Sequence, residues 1–150
     1  MHKRRQARID ALARMRAMAE QREELALEHA AVVVRKADLE LRLTSSKLDA
    51  ATEWKSSFAR DANGWLGLYE QVLLAEGDLL VQTRSAGASV RKASSGHSAQ
   101  GERLLQARRD LEVVQRRSDR YRYEMDQEFE RKMADDVADI WLSRRLHADR

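Results

Sequence analysis

The stretch Asp61-Ala62-Asn63-Gly64 decides how this chain folds. Asn and Gly tolerate a positive φ angle, which favours the end of a helix, and Asp is a common cap for the helix that follows. Glycine is absent from about residue 3 to about residue 60, and proline is absent from the whole chain. We therefore predict a first helix over about 3–60, a tight turn at 61–64 and a second helix over about 65–147.

A heptad pattern runs through the predicted second helix. Starting at Tyr69 and stepping alternately by three and four residues, twelve of seventeen positions are apolar as far as Met125. The positions are Tyr69, Val72, Glu76, Leu79, Thr83, Ala86, Val90, Ala93, His97, Gln100, Leu104, Ala107, Leu111, Val114, Ser118, Tyr121 and Met125. Such a sustained pattern is typical of a coiled-coil seam. The sequence therefore predicts an all-α fold, a two-helix antiparallel coiled-coil hairpin.

The predicted first helix carries two apolar lines instead of one. The first is Met18, Leu25, Val32 and Leu39, with the companion line Arg22, His29, Lys36 and Leu43, and the second is Leu27, Val34, Leu41 and Leu48. Two lines allow one to face the second helix and the other to face a different protein. Alternatively, a single seam drifts around the helix because 3.6 residues per turn do not match a heptad.

The region from Ser85 to Gly101 is the weakest part of the second helix, because each glycine costs up to about 1 kcal/mol in a helix interior. It holds Gly87 and Gly96 as well, so a second turn is one interpretation. The heptad positions nevertheless stay in step across it, which a loop would not require. We expect one continuous, thinly packed helix here.

Pairing the helices about the turn leaves the second helix without a partner beyond about residue 122. Apolar residues continue there, mainly in steps of four, at Phe129, Met133, Val137, Ile140 and Trp141. An apolar stripe that has no partner in its own chain usually marks a protein interface. We predict that it binds another protein; the alternative is that it folds back or pairs with a second copy.

The start of the first helix is basic. Asp10 is the one acidic residue among the first sixteen, which include Lys3, Arg4, Arg5 and Arg8. We expect the hairpin to bring these residues close to a second basic group, namely Arg131, Lys132, Arg144 and Arg145. Basic residues beside an unpaired apolar stripe predict a partner with an acidic surface.

The eight aromatic residues fall into two groups, one around the turn and one at the other end of the predicted hairpin. The turn group is Trp54, Phe58, Trp65 and Tyr69, and the other is Tyr121, Tyr123, Phe129 and Trp141. Because aromatic residues are enriched in interface cores, both ends are candidate contact sites. We expect Phe58 and Tyr69 to serve in local packing and Trp141 to bind a partner.

Composition argues against several classes of function. The chain has no Cys, so disulfides and thiolate chemistry are excluded, and its 4 His are scattered. Its 28 basic and 25 acidic residues are interspersed, which is typical of a solvated helix surface. The longest apolar run is the five residues Ala30–Val34, short of the roughly 18 needed to cross a bilayer. We predict a non-enzymatic protein without metal or cofactor that neither inserts into a membrane nor binds nucleic acid.

Two short stretches resemble a known family. The first is Asn63-Gly64-Trp65, with Tyr69 and Gln71 following, and the second is Arg131-Lys132-Met133-Ala134-Asp135-Asp136-Val137-Ala138. Together with the predicted architecture, they resemble the stalk proteins of bacterial type III secretion, the flagellar FliJ family and its injectisome relatives SctO and YscO. The second stretch is similar to the family's K-K-M-D-E-F-A segment with one inserted residue. The spacing from Trp65 to Met133 also resembles that of the flagellar member.

The resemblance implies a central stalk in the bacterial cytoplasm, peripheral to the inner-membrane export apparatus. Its joined helix ends would enter a hexameric secretion ATPase and promote assembly or activity, through a set comprising Lys3, Arg4, Arg5, Arg8, Phe129, Met133, Val137, Ile140 and Trp141. Trp54, Phe58, Trp65 and Tyr69 would face the export-gate ring. Some members of the family also bind export chaperones. Charged residues in the seam, Arg22, His29 and Lys36, would let a marginal coiled coil bend during the cycle.

Two other functions match parts of the sequence. A generic dimeric scaffold or chaperone-like coiled coil would pair the C-terminal stripe with its own copy. A basic-zipper nucleic-acid binder would use the basic residues from Lys3 to Arg16 followed by Met18, Leu25 and Val32. The second alternative lacks the expected base-reading Asn and leaves the second helix unexplained.

Overall fold

The chain forms two helices, α1 (His2–Arg60) and α2 (Leu66–Ala148), that pack against each other as an all-α hairpin. The structure is a computed structural model. It describes residues 2–60 and 66–148, apart from the side chains of residues 2, 3 and 59. The predicted turn at 61–64 lies outside the described residues. Neither described helix contains a stretch long and apolar enough to cross a membrane.

Contacts between the helices divide the chain into two units. The terminal unit comprises residues 1–21 and 106–150, and the central unit comprises residues 22–105. In the terminal unit, Arg16 lies 3.3 Å from Asp110, and Arg108 donates a hydrogen bond of 3.0 Å to Glu20. A higher residue number on α1 is thus paired with a lower residue number on α2. In the central unit the same order follows from two pairs, Glu23 with Gln100 and Lys55 with Glu76. The helices therefore pair antiparallel within each unit.

The predicted α2 seam is confirmed residue by residue. Each of its positions from Tyr69 to Met125 is buried or half-buried. The most buried apolar side chains of α2 are Val72 and Leu104, each 5% exposed. A heptad line identifies the buried face so closely because two paired helices share one strip of contact.

The structure distinguishes the two interpretations of α1. Leu27, Val34, Leu41 and Leu48, the second predicted line, are half-buried against α2. Leu25 and Leu39 of the first line are 65% and 58% exposed, and the charged companions of that line are exposed too. A drifting seam is therefore wrong for this part of α1, which carries two separate apolar faces. The prediction that charged residues loosen the seam is wrong for Arg22 and Lys36, which are exposed and lie outside it, whereas His29 lines a groove between the two helices.

Polar residues in the seam bond across the interface. In the central unit, Lys55 donates to both carboxylate oxygens of Glu76 at 2.9 and 2.7 Å, and Gln100 donates to the backbone carbonyl of Glu23 at 3.3 Å. In the terminal unit, Ser118 is 5% exposed and its hydroxyl lies 3.5 Å from Asp10. Because each partner is available at one alignment of the helices, these pairs help to fix the register.

The glycine-rich region is continuous α-helix, as predicted, since α2 runs through residues 85–101 without a break. Its small side chains leave an open groove against α1 with a volume of about 490 Å³. Gly96 and Ala93 line the groove on α2, and Ala26, Ala30 and Ala37 line it on α1. No described glycine has a positive φ. The glycines therefore reduce the side-chain packing between the helices but do not interrupt α2.

Gly96→Ala is expected to raise the free energy of unfolding by about 0.5–1 kcal/mol, because alanine loses less backbone entropy in a helix. A Cβ added at Gly96 would meet nothing within 4 Å, so no clash opposes the gain. Urea unfolding followed by circular dichroism measures the change. Ala99→Gly, at an exposed position one turn away, serves as control and should lower stability by a similar amount. Destabilisation by Gly96→Ala would contradict the prediction.

Leu104→Ala is expected to lower the free energy of unfolding by about 2–3 kcal/mol, because it removes a buried side chain and leaves a cavity in the seam. The adjacent Leu105 is 54% exposed and provides a matched control. Leu105→Ala should change stability by less than about 0.5 kcal/mol. The same urea unfolding measurement compares the two variants. Equal losses of stability would show that Leu104 does not belong to the buried seam.

Candidate partner-binding surfaces

The end of α2 carries the largest set of exposed apolar residues that the sequence predicted. Each described residue from 128 to 148 is exposed. The predicted residues, called here the C-terminal stripe, are Phe129 (65% exposed), Met133 (49%), Val137 (61%), Ile140 (56%) and Trp141 (57%). α2 therefore continues beyond its seam as a helix with large apolar side chains in solvent.

The C-terminal stripe occupies one side of its helix. Phe129, Met133, Val137 and Ile140 follow one another in steps of four, four and three, which place side chains on the same helical face. The guanidinium of Arg145 lies 5.1 Å from the ring centroid of Trp141, a cation–π contact. Leu142 and Leu146 are 51% and 70% exposed, and their helical positions place them away from the stripe. An apolar face beside a fixed cation suits a partner that offers apolar and acidic groups.

The basic N-terminal residues lie beside the end of the α2 seam. Arg4, Arg5 and Arg8 are exposed, and the guanidinium of Arg5 lies 5.1 Å from the ring centroid of Tyr121. The predicted Lys3 has a side chain outside the described residues.

This position separates the basic residues from most of the C-terminal stripe. At about 1.5 Å per residue, Phe129 lies roughly 12 Å and Trp141 roughly 30 Å farther along α2 than Tyr121. The expected closeness of the N-terminal basic residues to Arg144 and Arg145 is therefore wrong, because α2 continues past the point where α1 begins. The two predicted features follow each other along the terminal unit.

The aromatic group near the turn is partly packed. Trp54 and Phe58 form an edge-to-face pair with ring centroids 4.7 Å apart. Phe58 and Tyr69 are half-buried, whereas Trp54 is 48% exposed and borders a shallow cavity of about 260 Å³ with Leu68 and Gln71. Trp65 lies outside the described residues. Of the described members of the predicted turn group, Trp54 is the most exposed.

An exposed apolar face on α2 was missed by the sequence reasoning. Leu66, Leu73 and Leu80 repeat every seven residues and are 76%, 42% and 42% exposed. Leu74 and Val81 widen this face and are 72% and 66% exposed. The signal was present in the sequence, because the three leucines form a heptad line parallel to the seam.

The described residues hold no group of three or more His, Cys, Asp or Glu side chains placed to bind a metal ion. The exposed apolar residues described above follow helical faces.

No protein-family model, curated protein or solved structure matches this chain. The similarity to secretion stalk proteins therefore depends on the hairpin architecture and on the short stretches around residues 63–71 and 131–138.

Proposed function

We propose that this protein is the central stalk of a bacterial type III secretion export apparatus. Its joined helix ends would insert into the pore of the hexameric secretion ATPase and promote assembly or activity of the hexamer. Its other end would contact the export-gate ring and couple hydrolysis to export, and the free protein would also escort export chaperones. The protein would work in the cytoplasm, at the inner-membrane export apparatus.

The observation that carries the proposal is the exposure of the C-terminal stripe. Burying such residues is favourable by about 1.5–3 kcal/mol per large side chain, so five of them are a strong drive to associate. The terminal unit also presents α1 and α2 together at the start of this segment, where Arg5 contacts Tyr121. The resemblance implies that such a helix end enters the pore of the ATPase, where its apolar side chains would be buried.

The exposed basic residues at the start of α1 also support the assignment of ATPase binding to the terminal unit. Arg4, Arg5 and Arg8 are exposed, whereas Asp10 is half-buried and lies 3.2 Å from the guanidinium of Arg122. The basic side chains therefore face solvent where an acidic entrance would attract them. Long-range attraction of this kind raises association rates more than it lengthens the life of a complex.

The region near the turn would contact the export gate. Trp54 is exposed there, and the leucines at the start of α2 add apolar surface that the predicted aromatic group lacked. Leu66 is the most exposed of these at 76%. The proposal thus assigns the gate to residues on both helices, with Phe58 and Tyr69 supporting them from half-buried positions.

A double substitution in the C-terminal stripe tests the proposal directly. Val137→Glu with Trp141→Glu should weaken activation of the cognate secretion ATPase about tenfold or more, because charges replace the apolar anchors. The measurement is the hydrolysis rate of the purified ATPase, titrated with the intact protein and with the variant.

Leu142→Glu with Leu146→Glu is the matched control. It places the same charges on exposed leucines in the same segment, but on the other side of the helix. This control should activate the ATPase like the intact protein. Equal activation of the ATPase by the intact protein, the stripe variant and the control variant would show that the C-terminal stripe does not contact the ATPase. No activation by the intact protein, with an ATPase shown to form hexamers, would exclude the stalk function.

Arg4→Glu with Arg8→Glu should slow association with the ATPase about tenfold at low salt, while the dissociation rate changes little. Added salt should shrink the difference, because it screens exposed charges. Stopped-flow fluorescence of a labelled protein measures both rates. Arg84→Glu with Arg91→Glu makes the same change in net charge at exposed sites of the central unit. If both double substitutions slowed association equally, the basic residues at the start of α1 would have no specific role in binding.

A further inference from the structure

Three cavities lie along the same side of the central unit. The first is the open groove of about 490 Å³ beside the glycine-rich region, the second has a volume of about 510 Å³, and the third is the shallow cavity of about 260 Å³ at Trp54. Ser89 lines both the first and the second cavity, so these two adjoin. Two lines of residues, one on each helix, connect all three cavities.

Each line repeats every seven residues, so its members share one side of their helix. On α1 the line is Ala26, Val33, Glu40, Lys47 and Trp54. On α2 the line is Leu68, Ala75, Gln82, Ser89 and Gly96. Because α1 and α2 are antiparallel in the central unit, the two lines run beside the cavities in opposite directions. The continuous surface between them is called here the side groove.

The side groove is open because small side chains form its floor. Ala30, Ala37 and Ala93 line the first cavity, Ala86 lines the second, and Ala51 lines the third. Methyl groups on both helices leave space beside the seam that bulky side chains from outside can fill.

The two lines that border the side groove are also poor in long polar residues. Glu40, Lys47 and Gln82 are polar, whereas the other members of the two lines are apolar or small. Positions that flank the seam of a two-helix coiled coil are often Glu or Lys. An apolar stripe widened to a flanking position is instead typical of a helix in a larger bundle. The pattern therefore indicates that another helix packs along this side.

The charges of the side groove are uneven along its length. The first cavity is lined by Lys92, His29 and His97, and none of the described residues that line it is Asp or Glu. The second cavity has one charge of each sign, Glu40 and Lys47. The described residues that line the third cavity are uncharged. The side groove is thus basic at the end of the first cavity and apolar at the end near the turn.

We infer that the side groove binds an amphipathic α-helix of another protein, with bulky apolar side chains along its contact face and acidic residues at the end that meets Lys92. Charge complementarity to the first cavity determines the position of the acidic residues. From Ala26 to Trp54 the side groove extends roughly 42 Å, which takes a helix of about 28 residues. A helix whose apolar face lies in a groove is a common mode of recognition.

The inference is independent of the proposed secretion function. Of the residues assigned above to the ATPase or the export gate, Trp54 alone lies in the side groove. The experiments below leave Trp54 unchanged and use no ATPase, so their outcome does not depend on the stalk function.

Synthetic helical peptides of about 28 residues serve as probes. Each has leucine at the contact positions, glutamic acid at the flanking positions of one half and glutamine at those of the other half. One peptide has its acidic half at the N-terminus and a second has it at the C-terminus, so that both directions of the helix are tested. Fluorescence anisotropy of the labelled peptide, titrated with the full-length protein, measures binding.

At least one of the two acidic peptides should bind. The same peptide with lysine in place of glutamic acid should bind about tenfold or more weakly, because its charges repel Lys92.

Ser89→Glu with Gly96→Glu tests the location of the site. Both positions are exposed, and a Cβ added at Gly96 would meet nothing within 4 Å, so the variant should fold. It should weaken binding of the acidic peptide about tenfold or more, because the new side chains fill the side groove and repel the peptide. Ala88→Glu with Ser95→Glu is the matched control. It alters the preceding residues, which are exposed and lie outside the side groove, and it should bind the peptide like the unaltered protein.

Lys92→Glu tests the charge complementarity without altering an apolar residue. It should weaken binding of the acidic peptide about tenfold and strengthen binding of the lysine peptide by a similar factor, because the charges are exchanged.

Failure of both acidic peptides to bind would overturn the inference. Equal binding of the acidic and lysine peptides, or equal weakening by the side-groove variant and its control, would also overturn it. Sedimentation velocity tests for a different occupant, a second copy of this chain. If the unaltered protein and the control variant self-associate while the side-groove variant stays at the monomer mass of 17.3 kDa, a second copy occupies the side groove and the inference is wrong.

Discussion

Two paired helices can bury side chains only along the strip where they meet, and in this chain that strip is narrow. Among the described residues, the most buried apolar side chains are Ala37, Val72, Ala86, Leu104 and Tyr121, and each of them still has 5–9% of its surface exposed. Most of the other seam positions are half-buried. Stability therefore comes from many modest contacts added along the helices, and the pattern of the seam determines which residue of α1 meets which residue of α2.

The same constraint explains why so much apolar surface stays exposed. A third layer of structure would cover the outer faces of a hairpin, but the described residues form two helices and nothing packs on their far sides. Leu25 and Leu39 of α1, Leu66 and Leu74 of α2, and the C-terminal stripe are all left in solvent. Contiguous apolar patches of this kind mark binding surfaces in soluble proteins. The fold thus buries one seam and leaves several apolar faces exposed, and the proposed function would use such faces to bind partners.

The sequence predicted the fold class and the α2 seam because one heptad line there runs unbroken from Tyr69 to Met125. It was ambiguous for α1, where two apolar lines of equal length compete. The residues that alternate with each line determine which of the two lines is buried. Leu27, Val34, Leu41 and Leu48 alternate with small residues that let the helices approach, namely Ala30, Ala37, Thr44 and Ala51. The other line alternates with charges, whose burial without partners is costly.

The positions of the candidate sites were harder to predict than the seam. The C-terminal stripe was found because α2 continues past the point where α1 begins, and its exposure agrees with that expectation. Its relation to the basic residues was predicted wrongly, although the predicted end of the helix pairing near residue 122 already places Arg5 at the level of Tyr121 and Arg144 and Arg145 farther along α2. The face of Leu66, Leu73 and Leu80 was overlooked because a sequence line shows spacing and not which side of the seam it occupies.

Amide hydrogen exchange, read by mass spectrometry with and without the cognate secretion ATPase, is the most direct test of the central claim. An isolated amphipathic helix without tertiary contacts is marginal in water, so amides of residues 128–148 should exchange far faster than those near Leu104 in the free protein. The ATPase should then protect that segment and leave the seam unchanged. Protection of 128–148 in the free protein equal to that of the seam would mean that the C-terminal stripe is already covered, which would contradict the account.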